Sequence, residues 1–305
     1  MKKNCTNTLS RRTNRLGKPR VLILGCGDVG LRLLPSLVAN FRVFAVTSQA
    51  ESTSRFAALR LAGAIPIYAD LDYAHTLGRL ARLADIVVHL APPHSEGVID
   101  VRTRRLCAIL PDNVRLVYIS TTGVYGDCAG ELVDETRPVH PSNARAKRRL
   151  TAEQSLRAWA RRRSGKLTIL RVPGIYAENR LPLERLKKMT PALQATDDVY
   201  TNHIHAADLA QLIKLAMVRG LANRVVNAVD DSVLKMADYF DIVADYFQVA
   251  RPPRLSREEL VKQVSPMLLS FMSESRRLLN HRMKVELGAR LRYPTVRDFL
   301  LTLKE

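Results

Sequence analysis

The expected fold is a doubly wound parallel α/β sheet, and three features of the chain point to it. Short apolar runs alternate with helical patterns from position 19 to about position 171. The first run, Arg20-Val-Leu-Ile-Leu24, is continuously apolar, as a strand buried on both faces requires. A glycine-rich turn, Gly25-Cys-Gly-Asp-Val-Gly30, joins that strand to the first helix.

In chain order, the helix after this turn runs to Ala39, with Pro35 expected to kink it. Phe41–Val46 reads as the second strand, Ser54–Ala62 as a helix and Ala64–Tyr68 as a strand. Leu77–Leu83 reads as a helix and Ile86–Leu90 as a strand; Gly97–Ile109 and Leu116–Ser120 repeat that pair. Asn143–Arg163 is a long helix, followed by the strand Lys166–Arg171. Beyond it Pro173, Pro182 and Pro191 break the rhythm. A helix over His205–Arg219 and a strand over Val225–Ala228 resume it. In Lys235–Phe247 the residues Met236, Tyr239, Phe240, Val243 and Phe247 recur at helical spacing.

This pattern divides the chain. Residues 1–18 form a basic tail with Lys2, Lys3, Arg11, Arg12, Arg15 and no acid, read as disordered. Residues 19–172 form a dinucleotide-binding (Rossmann) domain, its sheet completed by about 203–229. Residues 173–202 and 230–305 form a smaller discontinuous C-terminal substrate region, and the cleft between the parts is the expected substrate site.

Composition narrows the class. The 305 residues are 47% apolar, which excludes general disorder. No apolar run approaches the ~18 residues of a membrane span. The four cysteines (Cys5, Cys26, Cys107, Cys128) show no metal-ligand spacing and no disulfide framework. The reading is a soluble, reduced, cytoplasmic protein without a metal. With 48 basic against 29 acidic residues the net charge is +19, and 36 of the basic residues are Arg. Such a surface attracts phosphates without specificity. Aromatics are only 6% and no recognition motif accompanies the charge, so nucleic acid is not the expected partner. The arginines read as solvated helix faces, with polyanion binding as the alternative.

Each glycine of Gly25-x-Gly27-x-x-Gly30 has a task. The first allows a tight turn, the second lets the backbone approach a diphosphate, and the third lets helix and strand pack closely. The helix start, with Asp28 and Val29, offers unpaired N–H groups and the positive end of the dipole. After the second strand the chain reads Val46-Thr-Ser-Gln-Ala-Glu51. No acid stands first to take a ribose hydroxyl, and no arginine comes before Arg55 to take a 2′-phosphate. Thr47 and Ser48 can bond either ligand, and the missing acid favours NADP over NAD. Glu51 reverses this if the loop curls back.

Further stretches carry a resemblance: Ala69-Asp-Leu71, His89-Leu-Ala-Pro-Pro93, Ser120-Thr-Thr-Gly-Val-Tyr-Gly126, Arg171-Val-Pro-Gly-Ile-Tyr176 and Asn202-His-Ile-His-Ala-Ala-Asp-Leu-Ala210. In this order, over about Pro19–Ala228, the chain resembles the extended short-chain dehydrogenase/reductases of the nucleotide-sugar epimerase/dehydratase type. Ser275–Gly288, with Tyr293–Asp298 after it, resembles that family's closing segment. The resemblance implies that Asp70 and Leu71 meet the adenine, and that Leu90, Ala91 and Pro92 line the ribose and diphosphate path. It implies that Pro173 and Gly174 hold the nicotinamide amide, and that Thr121 bonds the substrate. Asp70 reads equally as a loop or helix cap, His89 as a core histidine bonded to backbone, and Asp208 or a near neighbour as a helix cap.

The chain departs from the family at its central device, a Tyr-x-x-x-Lys on the long helix whose tyrosine acts as general base. No tyrosine lies between Gly126 and Trp159. Anchored on Glu153, the Tyr and Lys positions fall on Arg145 and Arg149; the other register gives Asn143 and Lys147. Arginine stays protonated and cannot serve as a base, but it can stabilise an oxyanion. The chain thus resembles atypical members that lack the tyrosine, with Tyr125, Tyr176 or His205 as substitute bases. Arg145, Arg149 and Arg180 suit anionic groups on a polar or nucleotide-linked small-molecule substrate. An NAD(P)-dependent oxidoreductase or epimerase is expected, with a non-catalytic NAD(P) sensor as the alternative. Family members pair through the two long helices, but the arginines there make a monomer as plausible as a homodimer.

Overall fold

The computed structural model describes residues 17–50 and 53–304. Most of the expected tail (1–16) and Glu51 therefore lie outside the described residues.

The first half of the chain alternates as expected: β1 (Arg20–Leu24), α1 (Asp28–Val38), β2 (Arg42–Thr47), α2 (Ser54–Leu61), β3 (Ile65–Tyr68), β4 (Ile86–His89), α3 (Val101–Ile109) and β5 (Arg115–Thr121). A short β6 (Leu132–Val133) precedes the long α4 (Ala144–Arg163) and β7 (Lys166–Val172). Then follow β8 (Gly174–Tyr176), α5 (Leu183–Lys187), β9 (Ala192–Leu193), β10 (Tyr200–Thr201), β11 (His203–His205), α6 (Ala206–Arg219) and β12 (Arg224–Asn227). The last stretch holds β13 (Leu234–Lys235), α7 (Met236–Tyr246), β14 (Arg254–Leu255), α8 (Arg257–Val261), α9 (Pro266–Phe271), β15 (Arg277–Leu278), α10 (His281–Glu286) and α11 (Val296–Leu301). Among the described residues no helix is long and apolar enough to cross a membrane.

Seven strands form one parallel sheet in the order β12-β7-β5-β4-β1-β2-β3. Strand order reverses between β1 and β4, so the crevice at their carboxyl ends is the topological switch point where such sheets bind ligands. Leu33, Leu34 and Leu37 of α1 pack with Leu209, Leu212 and Ile213 of α6 on one face. Leu106 of α3 and Leu156 and Trp159 of α4 cover the other against Leu22, Leu116 and Tyr118. The short strands pair two by two outside the sheet and frame its carboxyl edge.

The structure corrects several local expectations. Leu77–Leu83 forms no α-helix. Two single 3-10 turns, Ala74–Thr76 and Gly78–Leu80, replace it, and Arg82 has φ +56. Only Leu77 and Leu80 are buried there, which one turn satisfies. The next helix starts at Val101 rather than Gly97, because Asp100 caps it by accepting from Arg102 N. α1 continues through Pro35 to Val38. The outer boundary also shifts. Met283 and Leu287 are fully buried in the core beneath α1 and α6, so α10 packs on the sheet domain, not on the substrate region. Two separate clusters, one of Tyr176, Phe240, Val243, Val296 and Phe299 and one of Leu193, Leu260 and Met272, form the cores of that region.

Candidate functional site

The glycine turn sits at the switch point. Gly25 has φ +75, and a Cβ there would lie 2.6 Å from the Ala91 Cα. Both facts admit only glycine. Gly27 donates its N–H to Gly25 O at 2.7 Å, and a Cβ on it would meet no protein atom closer than that oxygen, 3.9 Å away. The space above Gly27 is open. A Cβ on Gly30 would lie 2.8 Å from Cys26 Sγ and 3.3 Å from Leu90 Cδ1, so here the close approach is helix to strand. Gly27 is also the N-cap of α1 and supplies no side-chain cap, which leaves first-turn N–H groups of Asp28, Val29 and Gly30 for an outside acceptor. A bound diphosphate fits this arrangement.

Charges ring the turn. Asp28 pairs with Arg32 of its own helix at 3.3 Å and with Arg180 at 3.1 Å. Arg180, expected to face an anionic substrate, is drawn instead to the start of α1. Arg55, in the first turn of α2, donates to the Cys26 carbonyl inside the glycine turn. Thr47 ends β2 and accepts from Gln49 N at 3.2 Å, and Ser48 beside it is exposed. Asp70 closes its own loop, accepting from Asp72 N at 2.9 Å, and Leu71 O accepts from Arg105 at 3.2 Å. Leu90 N donates to Leu24 O at 2.9 Å, which holds Leu90 and Ala91 against the turn. Arg102 braces the next loop with bonds to Asp72 and to Pro92 O.

Beyond the turn lies a cleft of about 470 Å³. The structure brings Thr121, Arg145, Arg149, Pro92, Pro173 and Gly174 to its wall. Of the two registers on α4, each sends residues to the cleft: Arg145 and Arg149 from one, Asn143 from the other. Lys147 does not line it, and Asn143 is also the N-cap, accepting from Ala146 N at 2.9 Å. Arg149 donates to Ile119 O at 2.9 Å and to the Tyr118 hydroxyl at 3.2 Å. Burial first, then the charges of Arg149 and Arg148, lowers the pKa of Arg145 against the opposing pull of Glu274. Thr121 Oγ1 accepts from Gly123 N at 3.2 Å and keeps its own hydrogen for another acceptor.

Below the cleft floor, Glu153 and Arg171 form a buried ion pair at 2.8 Å, and Ser120 donates to Glu153 at 2.6 Å. This pair fixes α4 against β5 and β7. Tyr125 is not brought to the cleft. It is 1% exposed, donates to Asn227 Oδ1 at 2.8 Å, lies under the Arg171 guanidinium, and burial pushes its pKa up. Tyr176 is equally buried and raised further. His205 is the N-cap of α6 through Nδ1, and burial lowers it to about 4. Asp208 is not the cap; its carboxylate accepts from Arg292 N and Tyr293 N at 2.7 and 3.0 Å and pins the closing segment. His89 is a core histidine, but bonded to the Thr103 hydroxyl rather than to backbone. Thr103 donates to the Asp100 carboxylate, so His89 must donate through Nε2, which leaves Nδ1 a buried bare acceptor. Burial lowers this imidazole to about 3.

Sequence reading missed the strap that closes the cleft. Glu274 accepts from Ser142 Oγ at 2.5 Å and pairs with Arg276 at 2.8 Å, and Arg276 also donates to Gly126 O at 2.7 Å. Asn202 clamps the same strap through Arg276 O and Leu278 N. The strap brings Arg276 to the cleft wall, where Arg148, Tyr200 and His94 also stand. The resemblance of Ser275–Gly288 to a closing segment was the available signal, but it did not say which groups that segment meets. Among the described residues no group of His, Cys, Asp and Glu is placed to hold a metal ion.

Known proteins agree with this architecture. A conserved protein of unknown function from Silicibacter pomeroyi is 27% identical with a TM-score of 0.74, over 94% of this chain and 98% of that one. The UDP-glucose 4-epimerase of Thermotoga maritima is 17% identical with a TM-score of 0.72, over 93% and 98%. The dTDP-glucose 4,6-dehydratase of Bacillus anthracis, solved in complex with NAD, is 14% identical with a TM-score of 0.72, over 93% and 94%. No curated protein matches at a significant level. The family model for NAD dependent epimerases and dehydratases matches residues 21–228, from the first strand of the sheet to just past the last, and the chain belongs to that family.

Proposed function

We propose that the chain is an NADP(H)-binding oxidoreductase or epimerase that has replaced the tyrosine base of its family with arginine. The single observation that carries the cofactor is the turn at Gly25, Gly27 and Gly30, with open space over Gly27 and uncapped N–H groups behind it. Arg55 at that turn favours the 2′-phosphate of NADP, since no acid follows β2 at Thr47 and Ser48.

When bound, the nicotinamide supplies or accepts a hydride. Pro173 and Gly174 line the cleft beside Thr121, in position to hold the ring end. Thr121 has a hydroxyl hydrogen to donate to a carbonyl or alkoxide. Arg149, held by Ile119 O, sets a permanent positive charge on the same wall. That charge stabilises a developing oxyanion but moves no proton. Proton transfer falls to solvent or to the titratable wall residues Tyr200 and His94. The polar character of the wall suits a polar substrate.

A second reading, a cofactor-binding sensor without turnover, is favoured by one fact: α4 carries no tyrosine. A panel of aldehydes, ketones and secondary alcohols, followed by NADPH absorbance, separates the two. Turnover that falls at least tenfold in both Thr121→Val and Arg149→Met supports the enzyme. Cofactor binding with no turnover across the panel supports the sensor. Assembly through α3 and α4 belongs to the same proposal. Arg102, Arg105, Arg148, Arg149 and Arg163 all have partners within the chain, which leaves the exposed Arg104, Arg161 and Arg162 as the outward charges at such an interface.

A further inference from the structure

We propose that the cleft seats an oxyanion, a phosphate or carboxylate group of the substrate, against Arg145, Arg148 and Arg276 at the start of α4. The proposal rests on the cofactor reading above and adds the chemistry of the group that faces the cofactor.

Charge balance carries the argument. Four arginines line the cleft (Arg145, Arg148, Arg149 and Arg276), and Glu274 is the one carboxylate among its lining residues. Glu274 is already engaged by Ser142, Asn143 and Arg276. The partners of Arg148 and Arg149 include Gly97 O, Ile119 O and the Tyr118 hydroxyl, neutral groups that orient a guanidinium without neutralising it. Arg102, Arg171 and Arg254 meet acids, whereas Arg115, Arg185 and Arg219, like the cleft arginines, donate to backbone carbonyls; what sets the cleft apart is that four arginines converge on one cavity.

Two further facts point to an absent acceptor. Arg145, Arg148 and Arg149 stand at i, i+3 and i+4 in the first two turns of α4, where the helix dipole disfavours cations, and no acid shares the first turn. The Nε atoms of Arg148 and Arg276 are buried with no hydrogen-bond partner. A buried donor without an acceptor is costly to keep unless something fills its place. One bound oxyanion satisfies the donors, neutralises the cluster and reverses the dipole penalty. Thr121 on the same wall sets the anion beside the reacting end of the substrate.

The test uses the full chain saturated with NADP⁺, so that the glycine turn offers no competing site. Inorganic phosphate and malonate are titrated calorimetrically at constant ionic strength. Saturable binding of either in the low millimolar range or tighter is expected, and the tighter one names the group. Arg276→Gln and Arg148→Gln should each weaken it at least tenfold, with Arg161→Gln on the exposed far end of α4 as control. Arg276 also holds the strap, so Arg148→Gln keeps the test valid if Arg276→Gln fails to fold. Absence of saturation overturns the proposal. So does equal weakening by Arg161→Gln, which would mean general attraction to a +19 surface. If NADP⁺ itself fails to bind while the anion still depends on Arg148, the cofactor reading falls and the anion site stands.

Discussion

The starts of α1 and α4 face each other's chemistry across the carboxyl edge of one sheet, and they have fared differently. At α1 each position has what a diphosphate requires: a left-handed glycine, an open glycine and a glycine in close contact. At α4 the resemblance puts Arg145 and Arg149 where the family carries its Tyr and Lys, and arginine cannot take up a proton. The difference lies in how each site works. Binding at α1 uses backbone N–H groups, and the turn's sterics tie it to the packing of β1 against β4. Proton transfer at α4 uses side-chain tips that point into a cleft, where exchange costs the fold little.

Predictions that probe this contrast run from the core outward. Glu153→Ala should cost most, about 3–5 kcal/mol in denaturant unfolding, because it strands the Arg171 guanidinium in the core. That loss would show that α4 is anchored by its middle, not by the cleft residues at its start. Next comes Gly25→Ala, at about 2–4 kcal/mol, from its positive φ and the overlap with Ala91. A loss well under 1 kcal/mol would mean that the turn is looser than the contact implies, and that its glycine is not tied to packing.

Acid should act gradually, through several groups at once. His89, His203 and His205 are held neutral by burial, at about 3, 4 and 4. Unfolded, they titrate near 6.5, so below that pH the unfolded chain binds protons that the fold refuses. Stability then falls as pH drops from 6.5 toward 4, by about 1 kcal/mol per pH unit for each histidine. Asp230, pushed up to about 7 by burial, works the other way: protonated in the fold, it loses stability as pH rises from its unfolded value toward 7. Burial raises Asp198 and Asp208 as well, but arginine partners lower Asp72, Glu178 and Glu286, which add to the histidines, so thermal midpoints between pH 4 and 6 should rise with pH. A flat profile there would show the histidines to be solvated.

Much of the fold was legible because its signals are local. Apolar runs marked the parallel strands, and Gly25-x-Gly27-x-x-Gly30 marked the switch point without reference to anything distant. The misreadings share a cause in long-range contact. Arg180 was placed with the substrate but pairs with Asp28, far away in sequence. Tyr125 stands one residue from a cleft-lining stretch, yet its hydroxyl turns inward to Asn227. α10 reads as part of the outer region but buries Met283, with Leu287 just past its end, in the main core, since helical spacing says which face is apolar and not what it meets. That Arg145 and Arg149 share one face with Glu153 was reachable from the sequence, because the three are spaced four residues apart along one helix. The strap that brings Arg276 to the same cleft was not, since only the folded chain joins it to α4.

The account turns on the glycine turn being a working dinucleotide site. Parallel calorimetric titrations of the wild type and Gly27→Ala with NADPH and NADH test this most directly. Binding of NADPH to the wild type below roughly 100 μM (about −5.5 kcal/mol), tighter than NADH, is expected. Gly27→Ala should lose at least tenfold in affinity while its thermal midpoint stays near wild type, because its Cβ enters open space. Failure of both nucleotides to bind the folded wild type, or equal binding by wild type and Gly27→Ala, would contradict the account.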